Sequence, residues 1–351
     1  MEDLHALPGL LLPWYGENRR DLPWRRDREP YHVWVSEIML QQTRVEAVRG
    51  YYARFLEALP TVADLARCED DRLHKLWEGL GYYSRVRNLK KAAQVIEADH
   101  GGVFPRDYAS IRALPGVGDY TAGAVASICF GLPEPAVDGN VLRVLARLRA
   151  DPSPVTAPGT KRAVQAALRD IYPAGRCGDF TQALMELGAT VCLPNGAPRC
   201  EDCPLRAACA GRDRWRELPV KEKKKPRRTE EKTVLLLRCG EKWAVRRRGD
   251  TGLLAGLWEF PNVPGRLSAQ EALALAERCG CRPLALEREA RRTHIFTHIT
   301  WDMTGYYLRC AAAGGDFHWA APEELDRALS LPTAFRQFRD GAPGAEDAPA
   351  G

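Results

Sequence analysis

The sequence predicts an all-α domain followed by an α/β domain, joined by a basic linker. Helical spacing of apolar residues, with glycine or proline at most breaks, extends over residues 31–191. Beyond residue 232, short runs of branched residues such as KTVLLLR indicate strands. Residues 211–232 hold ten Lys or Arg against five Asp or Glu, which accounts for the net charge of +5. Such a polar, proline-containing stretch is typical of a linker that can also touch phosphate.

The elements of each domain follow from the same patterns. In the first domain, helices are predicted over residues 31–40, 43–59, 71–80, 85–98, 108–113, 119–130, 141–149, 160–171 and 179–191. Thr43 and Glu46 have the spacing of a capping box at the start of the second helix. In the second domain, we expect strands over 232–238, 243–247, 295–301 and 305–309, and helices over 268–279 and 323–328.

The domain boundaries follow from these elements. We expect a helical domain over residues 1–211, a linker over 212–231 and an α/β domain over 232–340. The tail 341–351 is rich in Gly, Ala and Pro and is predicted to be disordered.

The bulk composition is that of a soluble globular protein. Hydrophobic residues make up 45% of the 351 residues and charged residues 28%. Neither a long apolar run nor a charged leader is evident, which indicates a cytoplasmic protein with no membrane association. Because no repeat or coiled coil suggests self-association, we expect a monomer.

Four cysteines lie within eighteen residues: Cys192, Cys200, Cys203 and Cys209. This density predicts metal ligation, since four thiolates satisfy either a tetrahedral zinc ion or an iron–sulfur cluster. The spacing alone does not decide between the two metals. The alternative is that these cysteines are merely buried or disulfide-bonded, but eleven cysteines in such a chain indicate a reducing compartment.

Two acidic residues are candidates for chemistry. Glu37 is the one acid between Tyr31 and Gln42, and burial in that apolar segment would raise the pKa of its carboxyl group. The alternative places Glu37 on the solvent face of an amphipathic helix. Asp138 precedes the helix 141–149, where an N-cap explains an aspartate without any catalytic role.

Other segments carry weaker signals. The turn LPGVG at 114–118 can expose backbone N–H groups to a phosphate at a helix N-terminus, although many helices begin this way for packing reasons. Gln41, Gln42 and the pair Tyr82–Tyr83 lie at predicted helix breaks. Amides and aromatic rings can fill or wedge a DNA stack, yet they are also common at helix ends.

The combination resembles one family over nearly the whole chain. The turn LPGVGDYTA, the later AVDGNV and the four-cysteine loop resemble the helix–hairpin–helix endonuclease III superfamily of DNA glycosylases. SEIMLQQT at 36–43, GLGYYSR at 79–85, Tyr120 and TGLLAGLWEFP at 251–261 make the chain similar to MutY-type adenine DNA glycosylases.

The resemblance implies roles for the candidate residues. It implies a [4Fe–4S] cluster on the loop 192–209, although seven residues separate Cys192 from Cys200 where the family usually has six. Gly116 and Gly118 would bind DNA phosphate. Glu37 and Asp138 would be catalytic, with Tyr120 and Asn140 in support. Since lyase-capable relatives carry lysine at position 120, Tyr120 implies a glycosylase that does not cut the strand.

Further residues would contact the DNA. By resemblance, Gln42 and Tyr82 fill or wedge the stack with Leu40 and Gln41 nearby, and the base pocket is lined by Trp24, Arg25 and Gln182. The C-terminal domain resembles a Nudix fold with too few glutamates in its helix for pyrophosphate hydrolysis. In the family this domain senses 8-oxoguanine through a Phe-Ser-His loop, which corresponds here to Phe296, Thr297 and His298.

The expected function is hydrolytic removal of adenine paired with 8-oxoguanine or guanine in double-stranded DNA, during base excision repair. One alternative is a pyrimidine-lesion glycosylase with lyase activity, against which Tyr120 and the second domain argue. The others are a non-catalytic DNA-binding protein with a redox cluster and a Nudix hydrolase of oxidised nucleotides.

Overall fold

The structure, a computed structural model, describes residues 4–222 and 226–339 and the backbone of Ala348–Pro349. Contacts between Cα atoms divide it into two compact units. The first comprises the described residues of 1–68 and 84–224, and the second those of 69–83 and 225–351. The segment 69–83 lies within the expected first domain but groups with the second unit. The domain boundaries expected from the sequence therefore stay a prediction.

Helices dominate the described residues up to 222, as the sequence predicts. In chain order they are α1 (Leu7–Asn18), α2 (Pro30–Leu40), α3 (Val45–Ala58), α4 (Val62–Arg67), α5 (Asp70–Leu76, in the second unit), α6 (Ser84–Asp99), α7 (Tyr108–Ala113), α8 (Asp119–Phe130), α9 (Gly139–Leu148), α10 (Pro158–Arg169) and α11 (Cys177–Thr190). Short 3-10 turns follow in the cysteine loop. Among the described residues, no helix has the length and apolar character needed to cross a bilayer.

Two details of the first unit differ from the sequence prediction. The helices α1 and α4 were not predicted; in α1, Leu7, Leu11 and Tyr15 pack into a core with α9 and α11. The predicted capping box of Thr43 and Glu46 is wrong, because α3 begins at Val45 after Arg44 and has no side-chain cap. The Thr43 hydroxyl group instead accepts a hydrogen bond from Arg85 at 3.4 Å.

The second unit is built on a mixed sheet. The strands are β1 (Arg228–Cys239), β2 (Lys242–Arg247), β3 (Trp258–Glu259), β4 (Asn262–Pro264), β5 (Pro283–Ile295), β6 (Ile299–Cys310), β7 (His318–Ala320) and β8 (Ala348–Pro349), and the helices are α12 (Ala269–Arg278), α13 (Pro322–Arg327) and α14 (Thr333–Arg339). Within the described residues the order is β3-β2-β1-β6-β5-β8, with β4 beside β1 and β7 beside β2. The strand β1 is parallel to β6, and β5 is antiparallel to β6.

Alternation along β1 and β6 gives the sheet two apolar faces. Leu236 and Met303 pack on the face that carries α13 and α14, whereas Leu237 and Leu308 pack on the face that carries α12. The predicted strand over 295–301 is wrong at its start, since residues 296–298 form the turn between β5 and β6. Of the predicted disordered tail, 341–347 and 350–351 lie outside the described residues, and the backbone of β8 pairs with β5.

The helix α5 contacts elements of the second unit through its polar side chains. Trp258 Nε1 donates a hydrogen bond to Asp71 Oδ1 at 3.3 Å. Lys75 Nζ donates to the carbonyl oxygens of Leu325 and Leu329 at 3.5 and 3.4 Å. These bonds explain why a segment that precedes α6 in the chain belongs to the second unit.

Candidate active site

One pocket of the first unit, about 200 Å³ in volume, brings together side chains that the sequence indicates from five elements. The helices α2, α8, α9 and α11 and the turn before α2 supply them. The sequence-predicted residues that line this pocket are Trp24, Arg25, Glu37, Leu40, Tyr120, Asp138, Asn140 and Gln182.

Glu37 is an acid of the pocket whose pKa is strongly raised. Glu37 is 5% exposed because α2 is buried on nearly all sides, so its carboxyl group does not face solvent. Burial raises its pKa to about 7, with a smaller upward contribution from the nearby charge of Asp138. Tyr120 Oη donates a hydrogen bond to Glu37 Oε2 at 2.5 Å, which opposes the rise by favouring the carboxylate. Glu37 can therefore carry a proton near neutral pH.

Asp138 is both an N-cap and a member of the pocket. Its Oδ1 accepts from the backbone N–H of Val141 at 2.8 Å, which caps α9, and its Oδ2 accepts from Asn140 Nδ2 at 2.7 Å. Burial raises the pKa of Asp138 and outweighs these hydrogen bonds, which favour the carboxylate. The capping bond fixes the carboxylate while leaving it in the pocket beside Glu37.

Tyr120 lies in the first turn of α8 and supports Glu37. Burial raises the pKa of its phenol well above the ordinary value, and the neighbouring carboxyl groups of Glu37 and Asp138 raise it further. Tyr120 therefore remains a neutral hydrogen-bond donor. No lysine is among the described residues that line the pocket.

Two pocket residues that the sequence did not indicate are Arg20 and Glu186. Glu186 lies on α11 with its side chain fully buried, and it accepts hydrogen bonds from Arg20 Nε at 2.7 Å and from Arg25 Nη2 at 2.7 Å. Burial opposes ionisation, but the two arginines outweigh it and lower the pKa of Glu186. Glu186 stands among apolar residues in the last two turns of α11, and an acid in apolar surroundings is the signal that identified Glu37.

Of the residues expected to contact DNA, Gln41, Gln42, Tyr82, Gly116 and Gly118 are not among the described residues that line this pocket. Gln42 is exposed in the turn after α2 and has a φ of 60°. Gln41 Nε2 donates to Thr121 Oγ1 at 3.4 Å. In the turn before α8, Gly116 has a φ of 75°, and a Cβ there would lie 2.5 Å from the Cβ of Asn88. Only glycine fits at that position, and Gly118 is the N-cap of α8.

The four cysteines of the loop line one small pocket with Arg147, Arg199, Arg206 and Arg212, and no His, Asp or Glu is among its described lining residues. None of the chain's eleven cysteines, all of them among the described residues, forms a disulfide. Arg147 Nη1 donates to Cys192 Sγ at 3.4 Å. Burial raises the pKa of Cys203 to about 11, and the other three thiols contribute to the rise. Among the described residues, no three His, Cys, Asp or Glu are grouped as around a metal ion. The fit to an iron–sulfur cluster therefore depends on the all-thiol donor set in one cationic pocket.

In the second unit, the turn of residues 296–298 meets the segment before α6. Thr297 Oγ1 and Tyr82 Oη are 3.0 Å apart and share a hydrogen bond, and Tyr82 is 47% exposed with a φ of 47°. The ring of Phe296 packs edge-on against Trp301 and His294 at centroid distances of 4.8 and 4.6 Å. The structure thus brings Tyr82 to the turn that contains Thr297 and His298.

Comparison with known families identifies two domains in the chain. The HhH-GPD superfamily of base excision DNA repair proteins matches residues 35–173. The NUDIX domain family matches residues 233–340.

Individual proteins extend the comparison. A human protein named adenine DNA glycosylase is 34% identical over 97% of this chain and 76% of its own length. The structure of a thermostable thymine-DNA glycosylase has a TM-score of 0.55 and 31% identity, and covers 60% of this chain and 96% of that one. A non-covalent complex of endonuclease III with DNA has a TM-score of 0.52 and 25% identity over 61% of this chain and 98% of that one.

Proposed function

The chain belongs to the adenine DNA glycosylase family of the HhH-GPD superfamily, and we propose that it excises adenine paired with 8-oxoguanine or guanine in double-stranded DNA. The observation that carries this proposal is the buried pair Glu37 and Tyr120, facing Asp138 in a pocket of about 200 Å³. The pocket is of a size to hold one base. Its neutral acid and its second carboxyl group are the two groups that cleavage of a glycosidic bond requires.

The target adenine would leave the duplex and enter the pocket between the ring of Trp24 and the side chains of Arg25 and Gln182. The ion pair with Glu186 fixes the Arg25 guanidinium at the wall. Amide and guanidinium donors at fixed positions can read the edge of a purine by hydrogen bonds, and this is the role that we assign to Gln182 and Arg25.

Bond cleavage would begin with proton transfer from neutral Glu37 to N7 of adenine. Protonation makes the base a better leaving group, and electrons of the glycosidic bond pass to it as the sugar becomes cationic. Asp138, held by the bonds from Val141 and Asn140, would stabilise this cation or bond to it transiently. The carboxylate left on Glu37, aligned by Tyr120, would then take a proton from the attacking water.

Water is the acceptor in this scheme because the described lining residues offer no amine nucleophile. Tyr120 occupies the position where a lyase would need lysine, and no lysine is among the described lining residues. The product would be an abasic site in an unbroken strand.

The cysteines would brace the part of the first unit that follows α11. Cys192, Cys200, Cys203 and Cys209 would hold a [4Fe–4S] cluster, which would cross-link distant points of the loop. Metal analysis tests this: iron and acid-labile sulfide in equal amounts support the cluster, and stoichiometric zinc contradicts it.

Preference for 8-oxoguanine would come from the second unit. The hydroxyl group of Thr297 is positioned by Tyr82 at the turn between β5 and β6, and it can accept or donate a hydrogen bond to the oxidised base. Phe296 anchors the turn on Trp301, so that Thr297 and His298 stay at its exposed end.

A duplex panel tests the proposed function. Adenine is placed opposite 8-oxoguanine, guanine or thymine, and base loss is scored by alkali separately from direct strand breaks. We expect release opposite 8-oxoguanine and guanine without strand breaks and without trapping by borohydride. Glu37→Gln should abolish release, while Glu29→Gln, at an exposed position just before α2, should not. Release of adenine paired with thymine at an equal rate, or strand cleavage, would refute the proposal.

A further inference from the structure

The turn after α2 has a backbone conformation that side chains rarely adopt. The helix ends at Leu40, and Gln42 follows with a φ of 60°. In this left-handed region the Cβ crowds the following carbonyl oxygen, so a glutamine stays there only where surrounding contacts impose the conformation. One backbone bond, from Thr43 N to Leu40 O at 3.3 Å, closes the turn.

The guanidinium group of Arg85, on α6 of the same unit, binds the carbonyl groups at this helix end. Arg85 Nη1 donates to the oxygens of Ile38, Met39 and Gln41 at 2.8, 3.0 and 2.7 Å. Nη2 donates to Thr43 Oγ1 at 3.4 Å. The last carbonyls of a helix lack partners within it and carry partial negative charge, so a buried cation with several fixed donors satisfies them.

The acceptors of Arg85 flank two residues of the proposed function. Glu37 directly precedes Ile38, and Gln42 lies between Gln41 and Thr43. Arg85 is 9% exposed and is not among the described residues that line the active-site pocket. Any influence of Arg85 on the reaction therefore has to pass through the backbone that it binds.

We propose that Arg85 is a positioning residue that holds the turn after α2 in the conformation from which Gln42 fills the gap left by the extruded base. This rests on the proposed function, since the turn has this task only in an enzyme that extrudes a base. Without Arg85, the backbone of Gln42 is free to return to the right-handed region, and the side chain turns away from the gap. The equilibrium for base extrusion then falls by a larger factor than the rate of bond cleavage.

The first experiment measures extrusion without chemistry. A duplex with 2-aminopurine in place of the target adenine opposite 8-oxoguanine becomes fluorescent when the base leaves the stack. Arg85→Met, which keeps the length and removes the donors, should lower the extrusion equilibrium by about tenfold, a size typical of residues in one hydrogen-bond network. Arg85→Lys should restore part of it. Ile96→Val, a buried change on the same helix, controls for a general loss of stability.

A second experiment asks whether Arg85 acts through Gln42. Gln42→Gly accepts a positive φ without strain and has no side chain to insert. In that background Arg85→Met should change extrusion by less than about twofold. A tenfold effect in both backgrounds, or an effect no larger than that of Ile96→Val, would overturn the proposal. Failure of the proposed reaction looks different, because wild-type protein would extrude 2-aminopurine yet release no adenine.

Discussion

Replacing Glu37 by glutamine should stabilise the protein at alkaline pH more than at acidic pH. The folded chain holds this carboxyl group in a site that disfavours its charge, with a pKa of about 7 against an ordinary 4.5. As pH rises from 4.5 to 7, the unfolded chain loses this proton and the folded chain keeps it. The free energy of unfolding therefore falls through this window and stays lower above it. Glutamine has the same shape and no proton to lose.

The magnitude follows from the two pKa values. At about 1.36 kcal/mol for each pKa unit, wild-type protein loses about 2 kcal/mol between roughly pH 5.5 and pH 8 through Glu37 alone. Glu37→Gln removes this loss. The changed hydrogen bond with Tyr120 adds an offset that is the same at every pH, so the difference between the two pH values isolates the ionisation.

Urea unfolding of wild type and variant at both pH values provides the assay. The gain in unfolding free energy from Glu37→Gln should be larger at the higher pH by about 2 kcal/mol. Glu29→Gln, at an exposed site before the same helix, should show no such pH dependence. If the gain from Glu37→Gln is equal at both pH values, Glu37 has an ordinary pKa and the reasoning for a neutral catalytic acid fails.

Three further substitutions test neighbouring parts of the account. Tyr120→Phe removes a hydrogen bond that favours ionised Glu37 and is worth about 1.5–3 kcal/mol. The pH at which single-turnover adenine release declines on the alkaline side should therefore rise by about one to two pH units. An unchanged alkaline decline would contradict this. Thr297→Val removes the hydroxyl group that forms a hydrogen bond with Tyr82, and it should reduce the preference for 8-oxoguanine over guanine about two- to tenfold. An equal loss of the adenine-release rate on both duplexes would count against a role of Thr297 in sensing 8-oxoguanine. Glu186→Gln leaves the charges of two arginines uncompensated and should lower the free energy of unfolding by about 2–3 kcal/mol. This is below the value for a fully buried pair because the side chain of Arg20 is 34% exposed. An unchanged midpoint of urea unfolding would show that the ion pair does not stabilise the fold.

The helical first unit was predictable because local patterns agree with its tertiary structure. Gly116 shows this well: the LPGVG turn indicates a tight backbone, and the space beside Asn88 requires it. The capping box at Thr43 failed because a local pattern cannot reveal a competing partner. Arg85, forty-two residues later, binds the Thr43 hydroxyl group instead.

The strand β5 and the ion pair between Arg20 and Glu186 could not be predicted from the sequence. The segment PLALEREARRTHI is highly charged, and its strand exists because β6 pairs with it along its length. The hydrogen bond between Arg20 and Glu186 joins residues 166 positions apart, so the local spacing of apolar residues cannot predict it. Glu37 is intermediate: its apolar neighbours indicate burial, but which face of α2 is covered depends on Tyr120 and the helices around it.

The most direct test of the central claim is single-turnover release of adenine from a duplex with adenine opposite 8-oxoguanine, with DNA binding measured on the same duplex. The account predicts release by the wild-type protein with the strand intact. It also predicts that Glu37→Gln and Asp138→Asn bind this duplex but release no adenine. Release by either variant at the wild-type rate would contradict the assignment of the two acids, and no release by the wild-type protein would contradict the proposed function itself.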